Sequence, residues 1–262
     1  MAELELLPDG VGFRLADIFI GAGGMMGETA PGAGANIPFP SSSASGAHFA
    51  SKELIGTALQ AAMEERYDSG LLAPSEPQAI VHPNGFIKLP LARTDDGRFR
   101  LFLHVWREES SDANIHDHRW SFTSFVLRGE LSHTVMDVTV TSGSAEIEEE
   151  KEHLADSFLV ARYYSDGNSH LFDTSRHERA LVTDRRTYVV PAAVRYDMEA
   201  FVFHRAHALA GAMTIVARGL PKQPCARVLV DKAKPPVVSQ RWCRLDAVER
   251  RRHLRDALQA LG

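Results

Sequence analysis

The sequence predicts a mainly β fold, a barrel or jelly roll, with a flexible N-terminal arm and one helix on either side of the β block. Three observations predict it. Short runs rich in β-branched and aromatic residues crowd between residues 86 and 218. A helix-patterned stretch lies before that block and another after it. The stretch from Gly21 to Gly46 is dominated by Gly, Ala, Ser and Pro, which bury little surface and lose much backbone entropy on ordering.

Residues 1–50 read as an N-terminal extension and 51–262 as one domain with flanking helices. Within the arm, Ile18-Phe19-Ile20 followed by Gly21, Gly23 and Gly27 imitates the start of a dinucleotide-binding loop. Met26 occupies the third glycine position, however, and Pro31, Pro38 and Pro40 interrupt the place of the phosphate-facing helix, so a linker is the better reading. From 51 to 67, Leu54, Leu59, Ala62 and Met63 share one face, which predicts a helix capped by Ser51 and ended by Gly70. Eight strands are then expected at 86–91, 99–106, 121–128, 131–140, 157–164, 187–191, 200–204 and 213–218. The acidic run 148–150 and the turn Asp166-Gly167-Asn168 read as solvated connections. Asp246, with Glu249 three residues on, forms a capping-box start to a last helix reaching Leu261.

The chain has 262 residues, 44% of them hydrophobic and 24% charged, a balance that supports a packed core and excludes a disordered chain. A net charge of -5 gives no electrostatic reason for binding nucleic acid or an anionic membrane. Cys225 and Cys243 are far apart and form no CxxC, so neither a disulfide framework nor a cysteine zinc site is expected. No apolar run is long enough to span a bilayer, and Glu3, Glu5 and Asp9 replace the basic start of a signal peptide. The expectation is a cytoplasmic protein working on a small molecule.

The informative segment is Asn114-Ile115-His116-Asp117-His118-Arg119-Trp120. Residues two apart on a strand share a face, so His116 and His118 are expected to project into one cavity with metal-ligand geometry. Two imidazoles hold a metal weakly, and the best third ligand is His204 in Phe201-Val202-Phe203-His204-Arg205. The competing reading is a pair of hydrogen-bonded structural histidines.

The segment from His116 to Gly129 matches the spacing of the first cupin motif, HxH(x3)E(x6)G, with Phe122 in place of the glutamate. Pro191 followed by His204 resembles a loosened second motif. Within the cupins, the chain resembles the cysteine dioxygenase group of thiol dioxygenases. The features appear in that group's order: Phe86-Ile87-Lys88, Gly97-Arg98-Phe99, Val105-Trp106, Ile115 to His118, Gly129-Glu130-Leu131, and His204-Arg205. The resemblance implies a three-histidine Fe(II) site on His116, His118 and His204, open to substrate and dioxygen. Lys88 stands where the group often carries its substrate-clamping arginine, and so offers a cation to a carboxylate without the bidentate fork. The group's cross-linking cysteine falls near Phe122, and Thr214, Val216 and Arg218 replace its Ser-His-Tyr relay.

Other residues divide between functional and structural readings. His104 alternates with Phe102 and Trp106 and is either a proton shuttle, a fourth ligand or a buried structural histidine. Arg218 joins Lys88 as a carboxylate anchor, while Trp120 and Phe122 are expected to wall the substrate cavity. His170 and His177 read as solvated, and Tyr163, Tyr164 and Tyr196 as packing residues able to offer a phenol. The leading functional expectation is an Fe(II) oxygenase or dioxygenase acting on a small amino-acid-like, carboxylate or thiol substrate. The alternatives are a zinc, nickel or manganese isomerase or lyase, and a non-catalytic small-molecule-binding module. Pairing through a barrel edge gives a homodimer as the expected assembly.

Overall fold

A computed structural model describes residues 52–67, 72–74, 78–82, 84–93, 100–112, 114–141, 157–165, 170–231 and 243–262. The N-terminal arm, the Ser51 cap, Gly70, the Gly97-Arg98-Phe99 turn, the 148–150 run and the Asp166-Gly167-Asn168 turn lie outside the described residues. The described elements are α1 (Lys52–Glu64), β1 (Ile80–Val81), β2 (Phe86–Arg93), β3 (Arg100–Trp106), β4 (Ser110–Ser111), β5 (Ile115–His116), β6 (Phe122–Arg128), β7 (Glu130–Thr141), β8 (Ser157–Ser165), β9 (His170–Asp173), β10 (Arg179–Pro191), β11 (Arg195–Met198), β12 (Phe203–Ala208), β13 (Met213–Arg218), β14 (Ala226–Val230), β15 (Cys243–Arg244) and α2 (Ala247–Leu261).

The strands form two antiparallel sheets. The first runs β11-β6-β13-β3-β2-β1-β15 and the second β10-β7-β12-β5-β14-β8-β9. Sequence neighbours are repeatedly separated across the two sheets, which is the wiring of a jelly roll. The expected mainly β, jelly-roll fold is therefore the observed one, with a helix at either end of the described chain.

Strand alternation in the first sheet divides its residues between two interiors. Ile87, Leu89, Leu103, Met213 and Ile215 join Ile55 and Leu59 of α1 and Leu254 and Leu261 of α2 in one buried cluster. Their neighbours Phe86, Lys88, Phe102, His104, Thr214, Val216 and Arg218 line a cavity between the sheets. Both faces of this sheet are thus covered, which explains why Leu101-Phe102-Leu103-His104-Val105-Trp106 reads as a nearly unbroken apolar run. Each fully buried Leu or Ile stabilises the packing by about 1.5–3 kcal/mol. Among the described residues, no helix is long and apolar enough to cross a membrane.

Several boundaries differ from the sequence expectation. The first helix ends at Glu64 because Glu65 turns left-handed (φ 58°) and Arg66 N–H donates to Ala61 O, closing a Schellman turn well before Gly70. The strand expected at 200–204 starts at Phe203, since Phe201 is left-handed (φ 72°) and its N–H donates to His118 O. The strand expected at 187–191 is the end of the much longer β10, which pairs with β7 from Arg179 onward and whose middle, 183–187, is polar and exposed. Strands β11 and β14 were not expected, and β14 proves central to the site.

Candidate metal centre

His116 ends the short strand β5, which lies between β12 and β14. Its direct cross-strand partner on β12 is His204, so the sheet register itself sets the first and third imidazoles side by side. His118 lies just beyond the strand, which corrects the expectation that strand alternation alone would align it with His116. Asp117 does this work instead. Its backbone N–H donates to Arg227 O (2.9 Å), while its Oδ1 accepts from Arg227 N–H and its Oδ2 from Arg227 Nε, both at 2.6 Å. With Asp117 drawn toward β14, His116 and His118 are left facing the cavity.

The three rings form a near-equilateral group, with centroids 5.0 Å apart for His116 and His118, 4.7 Å for His116 and His204, and 4.9 Å for His118 and His204. One nitrogen from each lies within 4.8 Å of the others. Small side-chain rotations would bring all three to the roughly 2.1 Å of an imidazole–metal bond. Nδ1 of His116 donates to Asn114 O at 3.1 Å and Nδ1 of His204 to Val202 O at 3.0 Å. A carbonyl can only accept, so each Nδ1 carries the hydrogen and each Nε2 keeps its lone pair. Burial first, then the neighbouring imidazoles, hold His118 and His204 well below the ordinary histidine range. Neutral, oriented imidazoles are the form that a divalent metal requires, so the residues fit such an ion.

Behind His116, Asp112 is pinned to β12: its Oδ2 accepts from Ala206 N–H at 2.8 Å, and its carbonyl accepts from Arg205 Nε at 2.7 Å. The same Oδ2 lies 3.9 Å from His116 Nδ1. Desolvation raises the Asp112 carboxyl, opposed in part by His116, the Ala206 N–H and Arg205.

All eight residues singled out in the sequence line one cavity of about 140 Å³. That is small beside the roughly 300–1,000 Å³ of sites that take drug-sized ligands. Phe122 stands edge-on to His118 at 5.2 Å, and Trp120 stacks on the same ring at 5.9 Å. The cationic groups gather on the first sheet: Lys88 Nζ lies 4.3 Å from the Phe102 ring centre, and Arg218 Cζ lies 4.1 Å from Trp120 and 5.2 Å from Phe102. Burial, then Lys88 and Arg218, drive His104 well below its usual range, so it is neutral at physiological pH.

Sequence reasoning missed His82, Asp112, Asp117 and His133, and gave Tyr196 only a generic role. His133 sits 4.7 Å from Tyr196 and 6.0 Å from His204, and burial lowers it to about 4. Its signal was present: Leu131, His133 and Val135 alternate on the apolar face of a half-exposed strand, where a histidine needs a reason to be. Burial raises the Tyr196 phenol above its ordinary range. His177 is exposed, as expected of a solvated histidine, and the His170 side chain lies outside the described residues.

No family model and no curated protein matches the chain. Among solved structures, it is similar to oxalate decarboxylase of Lactobacillus farciminis, with 10% identity and a TM-score of 0.35 over 60% of this chain and 34% of that one. An RmlC-like cupin from Shewanella frigidimarina gives 14% identity and a TM-score of 0.30, covering 58% of this chain and 94% of that one. Hydroxypropylphosphonic acid epoxidase of S. wedmorenis gives 13% identity and a TM-score of 0.32, over 58% and 61%. This chain spans about a third of the decarboxylase's length. Likenesses this distant carry no chemistry across. The strand order and the histidine cluster themselves define the class: a double-sheet jelly roll with a three-histidine cluster suited to a divalent metal.

Proposed function

We propose that this chain is a metal-dependent cupin enzyme, a mononuclear non-haem Fe(II) oxygenase acting on a small amino-acid-like or other carboxylate substrate. One observation carries the reading. Three imidazoles meet in a small cavity, among the described residues no carboxylate joins their cluster, and two cations stand in the cavity wall. Phe122 occupies the motif position of a glutamate ligand, so a bound divalent ion would keep its full positive charge and favour an anionic ligand. Fe(II) held by His116, His118 and His204 would supply adjacent positions at which substrate and dioxygen meet. The protein's own part is to bind and position: Lys88 and Arg218 attract the substrate carboxylate, Phe102, Trp106, Trp120 and Phe122 exclude water, and neutral His104 can take or give a proton.

Anaerobic purification followed by elemental analysis tests the centre. Near-stoichiometric iron in the native protein, lost in His116→Ala and His204→Ala, is the expected result. Substrate-dependent oxygen uptake with small amino acids, carboxylates or thiols then tests the chemistry. Stoichiometric zinc, nickel or manganese with no oxygen uptake would replace the oxygenase with a non-redox isomerase or lyase. Failure to bind any of these metals would leave a small-molecule-binding module.

A further inference from the structure

The first sheet carries a polar row across the cavity wall, and two of its members each keep a buried polar atom with no hydrogen-bond partner. Strand register places Lys88 opposite His104, and His104 opposite Thr214, so the three side chains stand in line on one face. Thr214 is fully buried, yet its Oγ1 has no hydrogen-bond partner; nor does the buried Nε2 of His104. A buried polar group left without a partner costs about 1–3 kcal/mol. Two such groups side by side, both lining the cavity, are the mark of a seat whose occupant is a ligand rather than a neighbouring side chain.

We propose that His104 and Thr214, with Lys88 beside them, form an oxyanion seat that fixes the far carboxylate of a bifunctional small acid, whose other group reaches the histidine centre. The seat's chemistry selects that class. The Thr214 hydroxyl and a neutral imidazole N–H each offer one hydrogen bond to an oxyanion, and the Lys88 ammonium supplies the charge. Lys88 and Arg218 are also the charges that act on His104, so an anion placed there meets a field already positive. The apolar surroundings of Phe86, Phe102 and Trp106 strengthen each such bond by keeping water out. His104 and Thr214 are therefore substrate-positioning residues that set specificity. The inference rests on the metal-centre reading for the ligand's near end, and on the orphaned atoms alone for its far end.

The test is calorimetric titration of Zn(II)-loaded protein with acetate, malonate, succinate and glutarate, metal content being measured on the same samples. At least one dicarboxylate is expected to bind tenfold or more tightly than acetate. Thr214→Val, which keeps the shape, and His104→Phe should each remove most of that gain, whereas Thr214→Ser should retain it. Dicarboxylates that bind Thr214→Val and His104→Phe as tightly as the native protein would overturn the seat. Samples without zinc would overturn the metal centre instead. The seat would then be read in metal-free protein, where acetate binding lost in Thr214→Val supports it and acetate binding unchanged in that variant overturns it.

Discussion

Asp117 is 1% exposed and spends both carboxylate oxygens on Arg227, so its contribution is to aim its neighbours rather than to touch the cavity. Removing one partner of such a pair leaves the other charge uncompensated, a loss of about 3–5 kcal/mol when both are buried and less here because Arg227 is partly exposed. Asp117→Ala is expected to lower the chemical-denaturation midpoint. It should also weaken metal binding by about 10- to 100-fold, as loss of an outer-shell support does. Unchanged metal affinity would show that the loop keeps its shape without it. His133 gives a pH prediction. Its folded value is depressed to about 4 from an ordinary 6.5, so above pH 6.5 both folded and unfolded forms are neutral and it contributes no pH dependence. As pH falls from 6.5 to 4, the unfolded chain takes up the proton first and stability drops by up to about 3 kcal/mol. Denaturation midpoints measured across that range should fall less steeply in His133→Gln.

At the scale of elements, the β6–β7 junction is a tight device. Gly129 has φ 78°, and a Cβ there would lie 2.9 Å from the Ala212 backbone. Gly129→Ala therefore meets both a left-handed strain and a backbone clash, and is expected to cost about 1–3 kcal/mol. Thermal unfolding would read this as a fall of several degrees in Tm. The helices make the contrasting case. Leu254 is fully buried between α2 and the outer face of the first sheet, so Leu254→Ala should cost about 2–5 kcal/mol through the cavity it leaves. Because that face is opposite the one lining the site, metal stoichiometry in Leu254→Ala should remain native while stability falls. A variant that loses both would mean that the sheet transmits packing defects to the histidines.

For the whole molecule, a metal that binds the folded barrel and not the unfolded chain must stabilise the fold by mass action. At a free concentration one hundred times Kd, the gain is about 2.7 kcal/mol. Adding Fe(II) anaerobically, or Zn(II), should raise Tm, a chelator should reverse the rise, and His204→Ala should abolish it. The sequence by itself determined the β-rich block, the two helices, and the residue types of the centre, because these follow from local periodicity, cap chemistry and the tight spacing of His116 and His118. It also marked Lys88, His104, Trp120, Phe122, His204 and Arg218, all of which line the cavity. Only the tertiary structure decided what depends on strands distant in sequence. It alone set His204 opposite His116, turned Asp117 toward Arg227, brought His133 and Tyr196 to the same wall, and set His104 and Thr214 side by side with Nε2 and Oγ1 lacking hydrogen-bond partners. The physical reason is that register and pairing are properties of two chain segments at once, so neither segment's own pattern contains them.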